Sequence, residues 1–194
     1  IKNLEKRQME GYYCPTVEDA EKLAFSFLKD GQTVSFGGSM TLEETGMLTA
    51  LRHDPSIHLI DRSTAKTPDE TKKMYHDALS SDVYFMSTNA ITTGGELVNI
   101  DGTGNRVAAL IYGPETVVIL AGMNKIAANV DEALSRVHNV ATAQNCIRLD
   151  KKTPCAITGA CADCLSPDCI CNQVVITRRS GIKGRIKVLL IGES

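Results

Sequence analysis

No apolar stretch in the chain approaches the roughly 20 residues that a membrane-spanning helix needs. The longest, Val107 to Tyr112 and Thr116 to Gly122, fall far short, which excludes a transmembrane segment. An excess of basic charge is also missing. With 21 Lys and Arg against 23 Asp and Glu, the net charge of -2 lacks the positive field that nucleic-acid binders carry. There is no low-complexity linker and no internal repeat, and the sequence opens at Ile1 without a Met and shows no charged-then-apolar leader, so we read it as a portion of a cytoplasmic protein. Histidine is sparse as well. His53, His58, His76 and His138 are scattered, and none stands at ligand spacing from another or in a Ser-His-Asp order.

What is present fits one α/β-sized domain. The 194 residues are 43% hydrophobic and 23% charged, which suffices for a full core without covalent staples. Asn3 to Tyr13 reads as a helical arm over residues 1–14, set apart by Cys14-Pro15 and apolar enough at Leu4, Met9, Tyr12 and Tyr13 to seek a partner surface, in a homodimer or, alternatively, on its own domain. Residues 15–194 then alternate. Val17 to Leu28 recurs at helical spacing behind a Thr16 cap, Thr33 to Phe36 is a buried strand, and Thr41 to Leu51 is a helix. Ile57 to Ile60, Asp82 to Met86 and Glu115 to Leu120 are further strands, the last central, with helices over Pro68 to Leu79, Asn105 to Ile111 and Asn129 to Gln144. Glu96 to Ile100 reads as a small hairpin strand, and Val174 to Thr177 with Ile186 to Ile191 as a terminal hairpin. Such alternation predicts a mainly parallel sheet covered by helices on both faces.

Three segments carry candidate chemistry. In Gly37-Gly38-Ser39-Met40-Thr41-Leu42-Glu43-Glu44 a strand runs into two glycines and a helix start, where backbone N–H groups can meet a phosphate or carboxylate. The same residues also suit an ordinary capped turn. Thr41 would cap the helix, Glu44 would close the capping box and Ser39 would serve the ligand. The second segment, Ser87 to Arg106, is a polar loop at another strand end that includes Asn89, Thr93, Gly95, Asn99, Gly102 and Asn105, with the charged trio Glu96, Asp101 and Arg106. Gly102-x-Gly104 is not a dinucleotide fingerprint, since it lacks the third small residue. Asn124 and Lys125 follow the apolar strand and add a cation to the same crevice. Glu44, Glu96 or Asp101 could act as a general base there.

The third segment holds five of the seven cysteines within seventeen residues, Cys155-x5-Cys161-x2-Cys164-x4-Cys169-x-Cys171. Clustering in a chain with an adequate core argues for thiols in metal or redox chemistry rather than a disulfide framework. Cys161 and Cys164 can face one ion, with Cys155 returning to it across the Gly159 turn. Cys169 and Cys171, one residue apart, point to opposite faces of extended backbone, so only one of them is expected to ligate. The spacing fits neither a ferredoxin run nor a zinc ribbon, so zinc and an iron–sulfur cluster both stay open.

Taken in order, Gly37 to Gly46, Asn89 to Thr92, Gly95 to Val107, Gly113-Pro114, Val117 to Lys125 and Pro154 to Cys171 resemble the lactate-utilisation (LUD) domain family. The resemblance implies the fold shared by ribose-5-phosphate isomerase, glucosamine-6-phosphate deaminase and CoA transferases, with the first two loops lining one ligand site. It also implies a role in oxidising lactate or a related organic acid, with electron transfer and an iron–sulfur partner subunit, and it favours Cys171 over Cys169 as the fourth ligand of segment 154–172. The expected ligand is a small anionic substrate or a phosphorylated compound. Rival readings are a sugar-phosphate isomerase or CoA-transferase-like enzyme, and a non-catalytic ligand-binding domain with a structural zinc.

Overall fold

Strands whose consecutive residues are apolar, so that both sides of the pleat must be buried, require cover on two faces. The computed structural model, which describes residues 1–193, meets that requirement. Its strands are β1 (Glu10–Cys14), β2 (Thr33–Phe36), β3 (His58–Ile60), β4 (Val83–Met86), β5 (Ala90–Thr92), β6 (Leu97–Asp101), β7 (Thr116–Gly122), β8 (Ile126–Ala127), β9 (Gln173–Thr177) and β10 (Ile186–Ile191). Six of them form an all-parallel sheet in the order β1-β10-β7-β4-β2-β3. Val83 and Phe85 of β4, Val118 and Leu120 of β7, and Leu189 and Ile191 of β10 enter one core, while Tyr84, Met86, Val117, Ile119, Val188 and Leu190 enter the other.

Helices cover both faces. They are α1 (Lys2–Lys6), α2 (Val17–Phe25), α3 (Met40–Glu44), α4 (Met47–His53), α5 (Pro68–Ala78), α6 (Asn105–Ile111), α7 (Val130–Arg136), α8 (Ala143–Arg148) and α9 (Pro154–Thr158). Ala20 and Ala24 of α2 with Met47, Leu48 and Leu51 of α4 pack on one face; Ala78 of α5 and Ala109 and Leu110 of α6 pack on the other. The remaining strands make a second, smaller sheet, β8-β5-β6-β9, whose Ala90, Val98, Ile100 and Ala127 bury against Ala133 of α7 and Val137. No helix among the described residues is long and apolar enough to cross a membrane.

Several expected elements change. The arm of residues 1–14 is not a separate helix. After α1 the chain turns into β1, which pairs in parallel with β10, and Leu4 and Met9 are 2% and 1% exposed within the chain's own core. The apolar side chains expected to draw a second copy are thus largely used internally, although Tyr13 stays exposed. The terminal hairpin is absent too, because β9 runs antiparallel to β6 in the small sheet while β10 lies between β1 and β7 in the large one. Gly46, with φ of +73°, splits the helix expected over Thr41 to Leu51 into α3 and α4. The helix expected to end at Gln144 continues through a π-helical stretch, Val137–Thr142, into α8.

One buried cation fastens the second face. Arg185 is 8% exposed and donates from Nε to Pro114 O at 2.8 Å, from Nη1 to Leu110 O at 2.7 Å and from Nη2 to Ala109 O at 2.8 Å, so it satisfies carbonyls left unpaired at the end of α6. Truncating it strands those acceptors in a dry site. Arg185→Ala should lower unfolding stability by about 3 kcal/mol, read as a reduced midpoint in urea titration with an unchanged slope.

Candidate functional site

β2, β4 and β7 are neighbours in the parallel sheet, and the chain passes out to β3 before returning to β4, so their C-terminal ends meet where the strand order reverses. Open α/β sheets bind ligands at such a point. The loops leaving these strands carry Gly37 to Ser39, Ser87 to Asn89 and Met123 to Lys125. With Asp101 to Arg106 they border a cavity of about 900 Å³, at the upper end of the usual size for small-molecule sites.

Arg106 forms the floor. Its Nη1 donates to Ser87 O at 3.0 Å and Asn99 Oδ1 at 2.6 Å, and its Nη2 to Asn89 Oδ1 at 3.0 Å and Ile100 O at 2.7 Å. Asp101 Oδ2 lies 3.5 Å from Nε, and both side chains are about one-tenth exposed. Burial pulls the guanidinium's pKa down, while the Asp101 carboxylate opposes that shift. The other Asp101 oxygen accepts from the backbone N–H groups of Thr103 and Gly104 at 3.1 and 2.8 Å.

Lys125 differs. Its Nζ donates to Thr41 Oγ1 at 2.6 Å and to Ser87 Oγ at 2.7 Å, and it takes part in none of the ion pairs among the described residues. Burial first, and then the Arg136 and Arg106 guanidinium groups, bring its pKa down to about 8, with only Glu44 acting the other way. Arg136 holds the adjoining wall through Nε to Asn124 O at 3.1 Å and Nη1 to Asn89 O at 2.7 Å. Arg62, just beyond β3, lies over the Tyr75 ring at 5.8 Å from its centroid and reaches to Gly38. The cavity can therefore hold an anion against amine and guanidinium donors in a largely desolvated setting.

Of the expected site residues, Gly38, Ser39, Met40, Thr41, Glu44, Asn89, Asp101, Gly102, Asn105, Arg106, Asn124 and Lys125 line this one cavity. Gly37 and Asn99 lie beneath it, where a Cβ on Gly37 would meet Cγ and Cδ of Arg106 at 2.9 Å and where Asn99 is fully buried. Glu96, Thr93 and Gly95 do not line it. Glu96 pairs with Arg7 and accepts from the Thr92 hydroxyl, a bond that holds its carboxyl below the usual range, and Gly95 packs against the Asn3 backbone. These three secure the N-terminal segment instead.

The roles expected of Ser39 and Thr41 are exchanged. Ser39 caps α3 by accepting from Leu42 N at 3.3 Å, whereas Thr41 meets the Lys125 amine. α3 is five residues long and offers no extended helix dipole for an anion. Asp101 is occupied by Arg106 and two backbone donors, leaving Glu44 as the cavity carboxylate of the expected trio that makes no ion pair. Arg62, Ser87 and Arg136 were not among the expected ligand residues. Arg62 follows a strand C-terminus and could have been found by that rule; Arg136 sits mid-helix and gave no local signal.

The cysteine segment pairs its thiols differently from the expected four. Cys155 is buried with its sulfur 3.6 Å from that of Cys146, Cys169 and Cys171 approach to 2.9 Å, and Cys161 lies 3.7 Å from His138 Nδ1. Burial, then Cys169, then Cys161 and Cys164 push the Cys171 thiol up to about 12. Among the described residues no three Cys, His, Asp or Glu side chains converge to hold an ion. A Cys155–Cys161–Cys164–Cys171 shell for zinc or an iron–sulfur cluster does not fit this arrangement, because Cys155 would have to leave Cys146 and Cys171 to leave Cys169. The sequence reasoning missed the Cys146 partnership because that residue lies on a different helix, α8.

The model of the LUD domain matches residues 1–191. No curated protein matches. A DUF162 family protein from Deinococcus radiodurans superposes with a TM-score of 0.56 at 12% identity, covering 98% of this chain and 93% of that one, a likeness of fold. Fainter likenesses are to eIF2B delta from Chaetomium thermophilum, TM-score 0.39 at 19% identity over 62% of this chain and 51% of that one, and to ribose 5-phosphate isomerase A from Methanocaldococcus jannaschii, TM-score 0.37 at 18% identity over 67% and 63%.

The floor generates a direct prediction. Because a methyl at position 37 would press on Cγ and Cδ of a pinned Arg106 and come within 3.2 Å of the Tyr84 hydroxyl, Gly37→Ala should cost about 2 kcal/mol of stability. Gly38→Ala meets the far end of Arg62 and should cost far less. Equal losses in parallel thermal melts would contradict the assignment of Arg106 as the fixed element.

Proposed function

The chain belongs to the LUD domain family, and on that premise we propose that it serves the oxidation of lactate or a related organic acid by holding a small anion in the cavity at the ends of β2, β4 and β7. The observation that carries this reading is Lys125, a half-buried amine inside the cavity that pairs with two hydroxyls and no carboxylate. Arg62 and Arg136 stand on the same lining. A bound carboxylate would supply the counter-charge that the protein itself leaves out, in a site where solvent screening is weak.

Isomerase-like base chemistry has less support. Asp101 is committed to Arg106, Glu96 faces Arg7 away from the cavity, and Glu44 is exposed.

Calorimetry with lactate, pyruvate and inorganic phosphate tests the proposal. Wild-type protein should bind at least one of the organic acids, and Lys125→Met should weaken that binding by at least tenfold. The amine's charge also sets a pH window. With its pKa at about 8, raising pH from 7 to 9 takes the free protein from mostly protonated to mostly neutral at this position. Anion affinity should fall about tenfold across that interval, and Lys125→Met should show no such step. A flat wild-type profile, or binding indifferent to Lys125, would refute the assignment.

A further inference from the structure

Two other buried cations in this molecule are consumed by structure: Arg106 by Asp101 and four acceptor contacts, and Arg185 by three carbonyl oxygens at α6. Lys125 has a different environment. Its Nζ opens on the cavity from the loop after the central strand β7, set between Thr41 Oγ1 and Ser87 Oγ. A carboxylate partner would hold a lysine protonated and suppress its lone pair. Hydroxyls do not, because each can accept from the ammonium form and, with its rotor turned, donate to the neutral amine. The charged groups facing Lys125 are Arg106 of α6, Arg136 of α7 and Glu44 of α3, and both guanidinium groups favour the neutral amine.

We infer that Lys125 binds its ligand covalently, forming an imine with the carbonyl carbon of a small 2-oxo acid held in the cavity. This deepens the anion-binding role proposed above and rests on it. The amine lone pair adds to the carbonyl carbon as the C–O π pair moves to oxygen. One proton passes from nitrogen to that oxygen, with the Ser87 or Thr41 hydroxyl placed to relay it, and the second amine proton follows to the resulting hydroxyl, which leaves as water while the nitrogen lone pair forms the C=N bond. No electrons are gained or lost overall. The carboxylate of the same molecule falls to Arg136, a guanidinium of the lining that faces Lys125 and makes no ion pair among the described residues. At pH 7 about a tenth of an amine with a pKa near 8 is neutral, enough to react reversibly. Lysines activated by desolvation and neighbouring cations follow this logic generally.

The test is reductive trapping. Wild-type protein is incubated with pyruvate at pH 8, treated with borohydride and weighed intact by mass spectrometry, with lactate in place of pyruvate as the carbonyl-free control. The expected result is one adduct per chain, heavier by the oxo acid less one oxygen, mapped by peptide digestion to Lys125 and absent with lactate. Lys125→Arg keeps a cation but cannot form an imine, so it should lose the adduct; circular dichroism establishes that it folds. Organic-acid binding by wild type without an adduct overturns the imine and leaves the anion-binding role standing. Neither binding nor adduct overturns both. An adduct that persists in Lys125→Arg, or maps to surface lysines, also overturns the assignment.

Discussion

The Arg106 guanidinium joins the two sheets, and the site is organised around that junction. It draws together the backbone after β4 at Ser87, the Asn89 side chain that leads into β5, the Asn99 side chain and Ile100 carbonyl of β6, and Asp101 at the end of β6. A guanidinium so deeply placed is tolerable only when its donors are satisfied and its charge is compensated. Five groups from two sheets must therefore hold their positions at once. That requirement fixes how the small sheet lies against the large one, and hence the walls of the cavity. It has a local cost, since Asn99 gives its oxygen to Arg106 while its buried Nδ2 has no partner.

This division of labour separates framing residues from residues that remain free. Gly37 must lack a side chain so that Arg106 can lie against it, Asp101 neutralises the guanidinium and caps the following turn, and Asn89 bridges Arg106 to the Ile100 backbone N–H. All three stand in polar, glycine-rich loops and look like ligand groups when read along the chain. Lys125, Arg62 and Ser87 carry less distinctive local sequence, yet they face the open volume. Polarity at a strand end indicates a site; whether a group is spent inside the protein depends on partners far along the chain, as Glu96 and Arg7, 89 residues apart, show.

The same limit explains which parts of the fold were legible. The parallel sheet and its two-sided burial followed from the apolar strands β4 and β7 and the helices between strands, because period and turn residues are local signals. β1 was taken for helix because a short amphipathic arm before proline looks alike in either state, and only pairing with β10, more than 170 residues on, decides it. β9 and β10 looked like a hairpin because they are close in sequence. Each instead completes a different sheet, β9 beside β6 and β10 between β1 and β7, since an open edge lined with apolar residues is worth more covered. For the cysteines, spacing showed what could meet but not that Cys146 on α8 already meets Cys155.

The charge pattern of the cavity follows from these commitments. A chain with a net charge of -2 has no general tendency to attract anions, so any such preference must be made locally, by where the carboxylates are. Here they are withdrawn: Glu96 is tied to Arg7, Asp61 to Arg52 and Asp101 to Arg106, leaving amine and guanidinium groups on the lining with only exposed acids opposite. A lysine half-buried without a counter-ion is unfavourable in the empty protein, and desolvation with the neighbouring guanidinium groups lowers its pKa. A site that leaves this cost uncompensated when empty gains affinity for whatever supplies the missing charge, and the gain appears as ligand-dependent stability. The local imbalance at Lys125 is thus the ground for the small anion proposed above, just as the balance at Arg106 secures the frame around it.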